Sequence, residues 1–185
     1  TAFSFQLETT DLSKRPQNSE AHERPFWILP AGILAVSADA LGVAFIAQHV
    51  FGLAPCALCI WQRWPYVFAA VCALLALSTP VGRYGRTGLM SLAAAAFVAG
   101  AGISGFHAGV EYGWWAGLPE CGGAGVSPEV SMRDLDAVLS GQDRPVSCSE
   151  PALVVLGLSM AGWNFLVSLA LAATTILALA GVRRR

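Results

Sequence analysis

Polar and apolar positions alternate in long blocks along this chain, with four apolar runs at about residues 27–50, 60–78, 88–107 and 153–181. A helix needs roughly 20 apolar residues to cross a ~30 Å hydrocarbon core. Lipid offers the backbone no hydrogen-bond partners, so runs of this length must close their hydrogen bonds internally as helices. Four spans with short turns form an antiparallel bundle. The pattern predicts an all-α integral membrane protein, a four-helix bundle with one long loop. The first run is too long, and too clearly preceded by polar sequence, to read as a cleaved signal peptide.

The polar blocks divide the rest of the chain. Residues 1–26 are a polar N-terminal extension, 27–181 the membrane domain and 182–185 a basic tail. In the loop, "SPEVSMRDLDAVLSGQDRP" (127–145) predicts a short amphipathic helix. Ser131 and Asp134 resemble a capping box, and Met132, Leu135, Val138 and Leu139 share a face suited to the membrane surface. Trp114 and Trp115 suit an interfacial aromatic belt. Small residues such as Gly105 and Gly109, or Gly157 and Ala161, read as helix-packing stripes.

Composition agrees with this reading. The chain is 55% hydrophobic and 12% charged, against about a quarter charged in soluble domains. The net charge of -1 points to no particular partner, and no repeat, phosphate loop or nucleic-acid footprint is present. Charge placement says more. Lys14, Arg15 and Arg24, then Arg83 and Arg86, then Arg183, Arg184 and Arg185 fall on one side of a four-span chain. The other side has Arg63, Arg133 and Arg144 beside seven acids from Glu111 to Glu150. Positive residues stay cytoplasmic, which puts both termini inside. The Cys56–Cys59 turn and residues 109–152 then face outward.

Four of the five cysteines (Cys56, Cys59, Cys121 and Cys148) lie on that outer side. Disulfides persist in oxidising compartments such as the bacterial periplasm. Two structural bridges are one reading, but a Cys56–Cys59 loop is too short to restrict the unfolded chain much. Zinc is another, although one C-x-x-C with two scattered cysteines lacks the paired spacing of a zinc site. Cys72, within a span, reads as a small buried hydrophobe.

The stretch "PCALCIWQRWP" (55–65) is where chemistry and membrane meet. Trp64 precedes Pro65 and is disfavoured in helical geometry, so the helix is expected to start at Pro65. From there to Ser78 it would be ~21 Å long, too short to span. Residues 59–64 are therefore expected partly at membrane depth. Arg63 could simply anchor a helix end by snorkelling. Beside a thiol it favours thiolate, and a thiol pair at the lipid boundary suits a lipid-soluble electron acceptor, a quinone.

With "QHVFGLAPCALCIWQR" at 48–63, His107 closing the third span, Cys121 and Cys148 in the second outer loop and "LGLSMAGWNFL" at 156–166, the chain resembles the bacterial disulfide bond formation protein B family (DsbB). The resemblance covers about residues 27–181. It implies a thiol:quinone oxidoreductase of the bacterial inner membrane. Cys56 and Cys59 would form the quinone-proximal pair, with Cys59 as thiolate, and Arg63 and His107 would contact ubiquinone or menaquinone. Cys121 and Cys148 would form the outer pair that oxidises a periplasmic DsbA-type thioredoxin-fold partner.

Some positions keep two readings. His107 could instead cap a helix C-terminus for dipole reasons. Gln48 and His49 suit interfacial anchoring. Asp39 sits within a span, where an acid usually faces the bundle interior. The extension 1–26 is longer than the family leads one to expect, and could be disordered or dock on a membrane partner subunit. Two other function classes remain: a quinone reductase of the vitamin K epoxide reductase type, in which the loop pair is expected before the C-x-x-C, and a subunit of a larger membrane complex.

Overall fold

Helix α1 (Ile28–His49) occupies the first apolar run almost to the residue. It opens a computed structural model that describes residues 27–78, 81–118, 121 and 146–183. The extension 1–26, the amphipathic helix expected at 127–145 and the terminal Arg184 and Arg185 lie outside those residues.

The second run departs from expectation. A one-and-a-half-turn helix, α2 (Ala57–Trp61), leads through Gln62 into α3 (Arg63–Ser78). Trp64 is therefore helical, and the helix does not wait for Pro65. The reason is position: Pro65 falls in the first turn of α3, where a missing N–H leaves no intrahelical carbonyl unpaired. Residues Ala57–Ser78 together supply 22 residues, ~33 Å of rise, enough to cross.

The third run is longer than predicted. Helix α4 (Arg83–Glu111) has 29 residues and continues a full turn beyond His107. The fourth is shorter at its start. Residues 153–159 leave the span as a hairpin, β1 (Val154–Val155) with β2 (Leu158–Ser159), before α5 (Met160–Arg183). The register pairs Val154 with Ser159 and Val155 with Leu158, leaving Leu156 and Gly157 as a two-residue turn. Both have positive φ, 54° and 79°, as a turn matching strand twist requires. Gly157 thus serves a turn rather than a helix-packing stripe.

Among the described residues, four helices are long and apolar enough to span a membrane. Helix α1 packs on α3, α3 on α4 and α4 on α5, whereas α1 and α5 barely meet. The centre is built from small residues: Ala69, Ala73, Ala76 and Ala93 are fully buried around Phe97, which lets backbones approach closely. Gly105 works the same way, since a methyl there would come 3.2 Å from the Phe165 ring of α5. Large apolar side chains such as Phe68, Leu74, Val98, Leu169 and Leu177 face outward. Small inside and large apolar outside is the pattern of a bundle whose solvent is lipid. Asp39 also faces outward, not into the bundle as expected, and Cys72 is buried in the core as a free thiol.

Candidate redox site

Helix α2 begins at the first cysteine. Cys56 is its N-cap, with extended backbone, and its Sγ accepts the backbone N–H of Cys59 at 3.2 Å. Three residues is just under one turn, so Cys59 returns to the same face and the two Sγ atoms share a hydrogen at 2.8 Å. The pair is a dithiol. The Nε2 atom of His107 on α4 lies 3.6 Å from the Cys56 Sγ.

These contacts decide where negative charge sits. The shared thiol hydrogen of Cys59 pulls the Cys56 thiol from its ordinary 9.0 down to about 4; burial opposes this, while His107 and the Cys59 N–H add to it. Hydrogen bonds to the charged form favour that form. The resemblance implied a thiolate on Cys59. In this reduced pair the helix N-terminal N–H and His107 both favour negative charge on the Cys56 sulfur.

The second pair adjoins the first. Cys121 and Cys148 form a disulfide with Cα atoms 5.1 Å apart, inside the usual range. Both are buried with Cys56, Leu58 and Val110 in one cluster. The Sγ atoms of Cys56 and Cys148 and a ring nitrogen of His107 all lie within 4.8 Å of one another.

Behind His107 runs a chain of buried and half-buried polar side chains. Gln62 Nε2 lies 2.6 Å from His107 Nδ1, and Asn164 Nδ2 of α5 donates to Gln62 Oε1 at 2.5 Å. Tyr66 Oη donates to Asn164 Oδ1 at 2.5 Å and meets Ser168 Oγ at 3.0 Å. On the other side of the ring, Glu111 Oε1 stands 3.8 Å from His107 Nε2. Ser159 of the hairpin hydrogen-bonds the second oxygen of Glu111. His107 is therefore held within a polar cluster, and does not cap the carbonyls of its own helix end.

Arg63 is tied to α1. Its Nη1 donates to Gln48 Oε1 at 2.8 Å, and its guanidinium lies 5.2 Å over the Phe45 ring. Gln48 thus orients the arginine in addition to any anchoring role, while His49 stacks on Phe45. Where α1 and α5 fail to meet, a cavity of about 170 Å³ opens. Ala40, Ala44 and Ala47 of α1 line one wall, Ala161 and Asn164 of α5 another, and Cys59, Arg63 and His107 its polar end.

All six residues singled out from sequence (Cys56, Cys59, Arg63, His107, Cys121 and Cys148) meet around this one junction. Gln62, Tyr66, Glu111, Asn164 and Ser168 were missed. Their signal was present as polar residues four apart within apolar runs: Gln62 and Tyr66, His107 and Glu111, Asn164 and Ser168. Each such pair shares a helix face.

A four-span bundle that buries a dithiol against a disulfide is a membrane thiol–disulfide oxidoreductase. Comparison with known proteins is specific about which kind. The family model for disulfide bond formation protein DsbB matches residues 23–178, and the chain belongs to that family. It is 37% identical over 158 residues to the disulfide bond formation protein B of Chromohalobacter salexigens, covering 82% of this chain and 90% of that protein. It is 33% identical over 163 residues to disulfide bond formation protein B 1 of Pseudomonas fluorescens, covering 88% and 90% respectively. A third relative, the disulfide bond formation protein B of Ralstonia nicotianae, is 30% identical over 172 residues. Membership sets aside the vitamin K epoxide reductase type.

Proposed function

We propose that this protein reoxidises a periplasmic thioredoxin-fold dithiol protein of the DsbA type and passes the electrons through two cysteine pairs to a membrane quinone. One observation carries the reading: the outer disulfide and the inner dithiol share a buried sulfur cluster that opens onto an apolar cavity.

The steps balance as thiol–disulfide exchange. A partner thiolate attacks the Cys121–Cys148 disulfide; its second thiolate resolves the mixed disulfide, so the partner leaves oxidised and Cys121 and Cys148 gain two electrons. Both outer sulfurs are buried in the present state, so they must become exposed before a protein can reach them. The Cys148 thiolate then attacks Cys56 of an oxidised inner pair and Cys59 leaves. Cys121 attacks Cys148, restoring the outer disulfide and releasing Cys56. The product has a reduced inner pair and an oxidised outer pair, which is the covalent state of this structure. Cys56 suits both of its roles, since a stabilised thiolate is also a good leaving group.

The cavity fits a quinone headgroup by the character of its lining: apolar side chains such as Ala40, Ala44, Leu41 and Val43, with Arg63, His107 and Cys59 beside the polar Gln62, Tyr66 and Asn164 and the carboxylates Glu111 and Glu150. When bound, a quinone supplies an acceptor for two electrons and two protons. The cleft between α1 and α5 admits it sideways from lipid. Arg63 and His107 bind and orient its polar edge, and Cys59 stands beside it. The inner disulfide re-forms as its electrons depart. With both termini cytoplasmic by charge placement, the sulfur cluster faces the periplasm and the protein resides in the bacterial inner membrane. The test is direct: purified protein should reduce added quinone in step with oxidation of a dithiol thioredoxin-fold protein. Oxidation of that protein with no quinone consumed would overturn the reading.

A further inference from the structure

The polar chain behind His107 has a direction. Tyr66 spends its hydroxyl hydrogen on Asn164 Oδ1, so Ser168 donates to Tyr66 rather than the reverse. An Asn oxygen that accepts from Tyr66 leaves the Asn amide N–H to donate, and it does, to Gln62 Oε1. That in turn points the Gln62 amide N–H at His107 Nδ1. With the Gln62 and Asn164 amides oriented as they stand, every donor meets an acceptor when Nδ1 is an unprotonated acceptor. An imidazole carries its proton on one nitrogen or the other, and the partner of one nitrogen decides the other.

We propose that Gln62 and Asn164, held by Tyr66 and Ser168, are positioning residues that fix the tautomer of His107, keeping its proton on Nε2 where it faces Cys56. The inference deepens the redox reading above and rests on it only for its consequence. An Nε2–H donor stabilises the Cys56 sulfur as a thiolate without removing a proton from it. A proton on Nδ1 would set two donors, the ring N–H and the Gln62 amide, against each other at 2.6 Å. It would also turn the Nε2 lone pair towards the sulfur. The network spans three helices, α3, α4 and α5, with Gln62 at the head of α3. Gln62, His107, Ser168 and Tyr66 are buried, and Gln62, Tyr66, His107 and Asn164 also border the cavity. The titratable and charged groups that contact the ring or line the cavity with it are Cys56 and Cys59 at α2, Tyr66 and Arg63 on α3, Glu111 one turn along α4, and Glu150 before the hairpin. Of these, Glu111 Oε1 stands 3.8 Å from Nε2 and also favours a hydrogen there.

Nitrogen NMR of detergent-solubilised, fully reduced protein labelled at histidine tests the tautomer directly. His107 is assigned by comparison with His107→Gln. Wild type should show His107 with a hydrogen on Nε2 and none on Nδ1. Gln62→Glu, nearly isosteric, offers Nδ1 an acceptor oxygen in place of an amide N–H and should move the proton to Nδ1. Asn164→Leu frees the Gln62 amide to turn and should give a mixture. A second readout is the pH profile of Cys56 alkylation, followed by peptide mass spectrometry. In Asn164→Leu its midpoint should rise by about one pH unit, tenfold in acid constant, for loss of one charge-assisted hydrogen bond. Neither readout needs quinone or partner, so the proposal and the redox reading can fail separately. Wild-type His107 protonated at Nδ1, or a Gln62→Glu protein that keeps the Nε2 proton, would overturn the proposal. So would an Asn164→Leu protein with both tautomer and alkylation midpoint unchanged.

Discussion

At the residue scale two side chains, Arg63 and Cys56, set how the site handles charge. Arg63 lines the cavity beside Cys59 and is held by Gln48 and Phe45. A charge-assisted contact of about 1.5–3 kcal/mol corresponds to roughly 10- to 150-fold in kcat/KM. Arg63→Met should lose that much in kcat/KM for quinone, and Arg63→Lys less, because lysine keeps the charge while losing the planar fork. Steady-state quinone reduction across quinone concentration checks it; Arg63→Met equal to wild type would leave Arg63 as a helix anchor only. For Cys56 the expectation concerns pH. Its folded value of about 4 lies below its ordinary 9.0, so in the reduced protein the thiolate persists on acidification. Alkylation of Cys56 should stay nearly constant from pH 8 to 6 and fall only as pH drops through about 4. An ordinary thiol loses about tenfold per unit over that range. The same shift stabilises the reduced fold fully above the unfolded value, and that contribution is lost as pH falls through the folded one.

At the scale of elements, most of the fold was legible because lipid demands long apolar helices, and those are visible as unbroken runs. The ends were harder. Apolar composition continues through "LVVLGLS", so only its β-branched pair and Leu-Gly turn distinguish a hairpin from the start of a span. At Trp64 the local bias against helix before proline is overridden, because Pro65 falls in the first turn of α3, where its missing N–H costs nothing. The cysteine junction was readable from C-x-x-C with Arg63, but its surroundings were not. Gln62 and Asn164 are 102 residues apart, and no local pattern says that two amides in different spans will meet. Packing at the centre gives its own prediction. Phe97 is fully buried and makes an edge contact with Tyr66, ring centroids 5.9 Å apart. Phe97→Ala should destabilise the bundle by about 3–5 kcal/mol, read as a lower unfolding midpoint in detergent. Conversely, Phe68→Ala on the exposed face should change it little.

At the scale of the whole molecule, topology and electron flow are two halves of one claim: substrate sulfurs outside, acceptor in the lipid. On intact, reduced cells a membrane-impermeant thiol reagent should label Cys121 and Cys148 and leave Cys72 untouched. An engineered cysteine at Gly85, in the first turn of α4 beside Arg86, should resist labelling from outside; if it labels, the orientation is reversed. The relay order is the central claim, and replacing each pair separately tests it most directly. With Cys121→Ala and Cys148→Ala together, oxidation of a thioredoxin-fold dithiol protein should be abolished, while quinone reduction driven by a small dithiol, which can reach Cys56 and Cys59, should partly survive. With Cys56→Ala and Cys59→Ala together, quinone reduction from either donor should vanish. If the inner-pair variant kept quinone reduction and the outer-pair variant lost it with the small dithiol, the order of the two pairs would be the reverse of the one argued from their geometry.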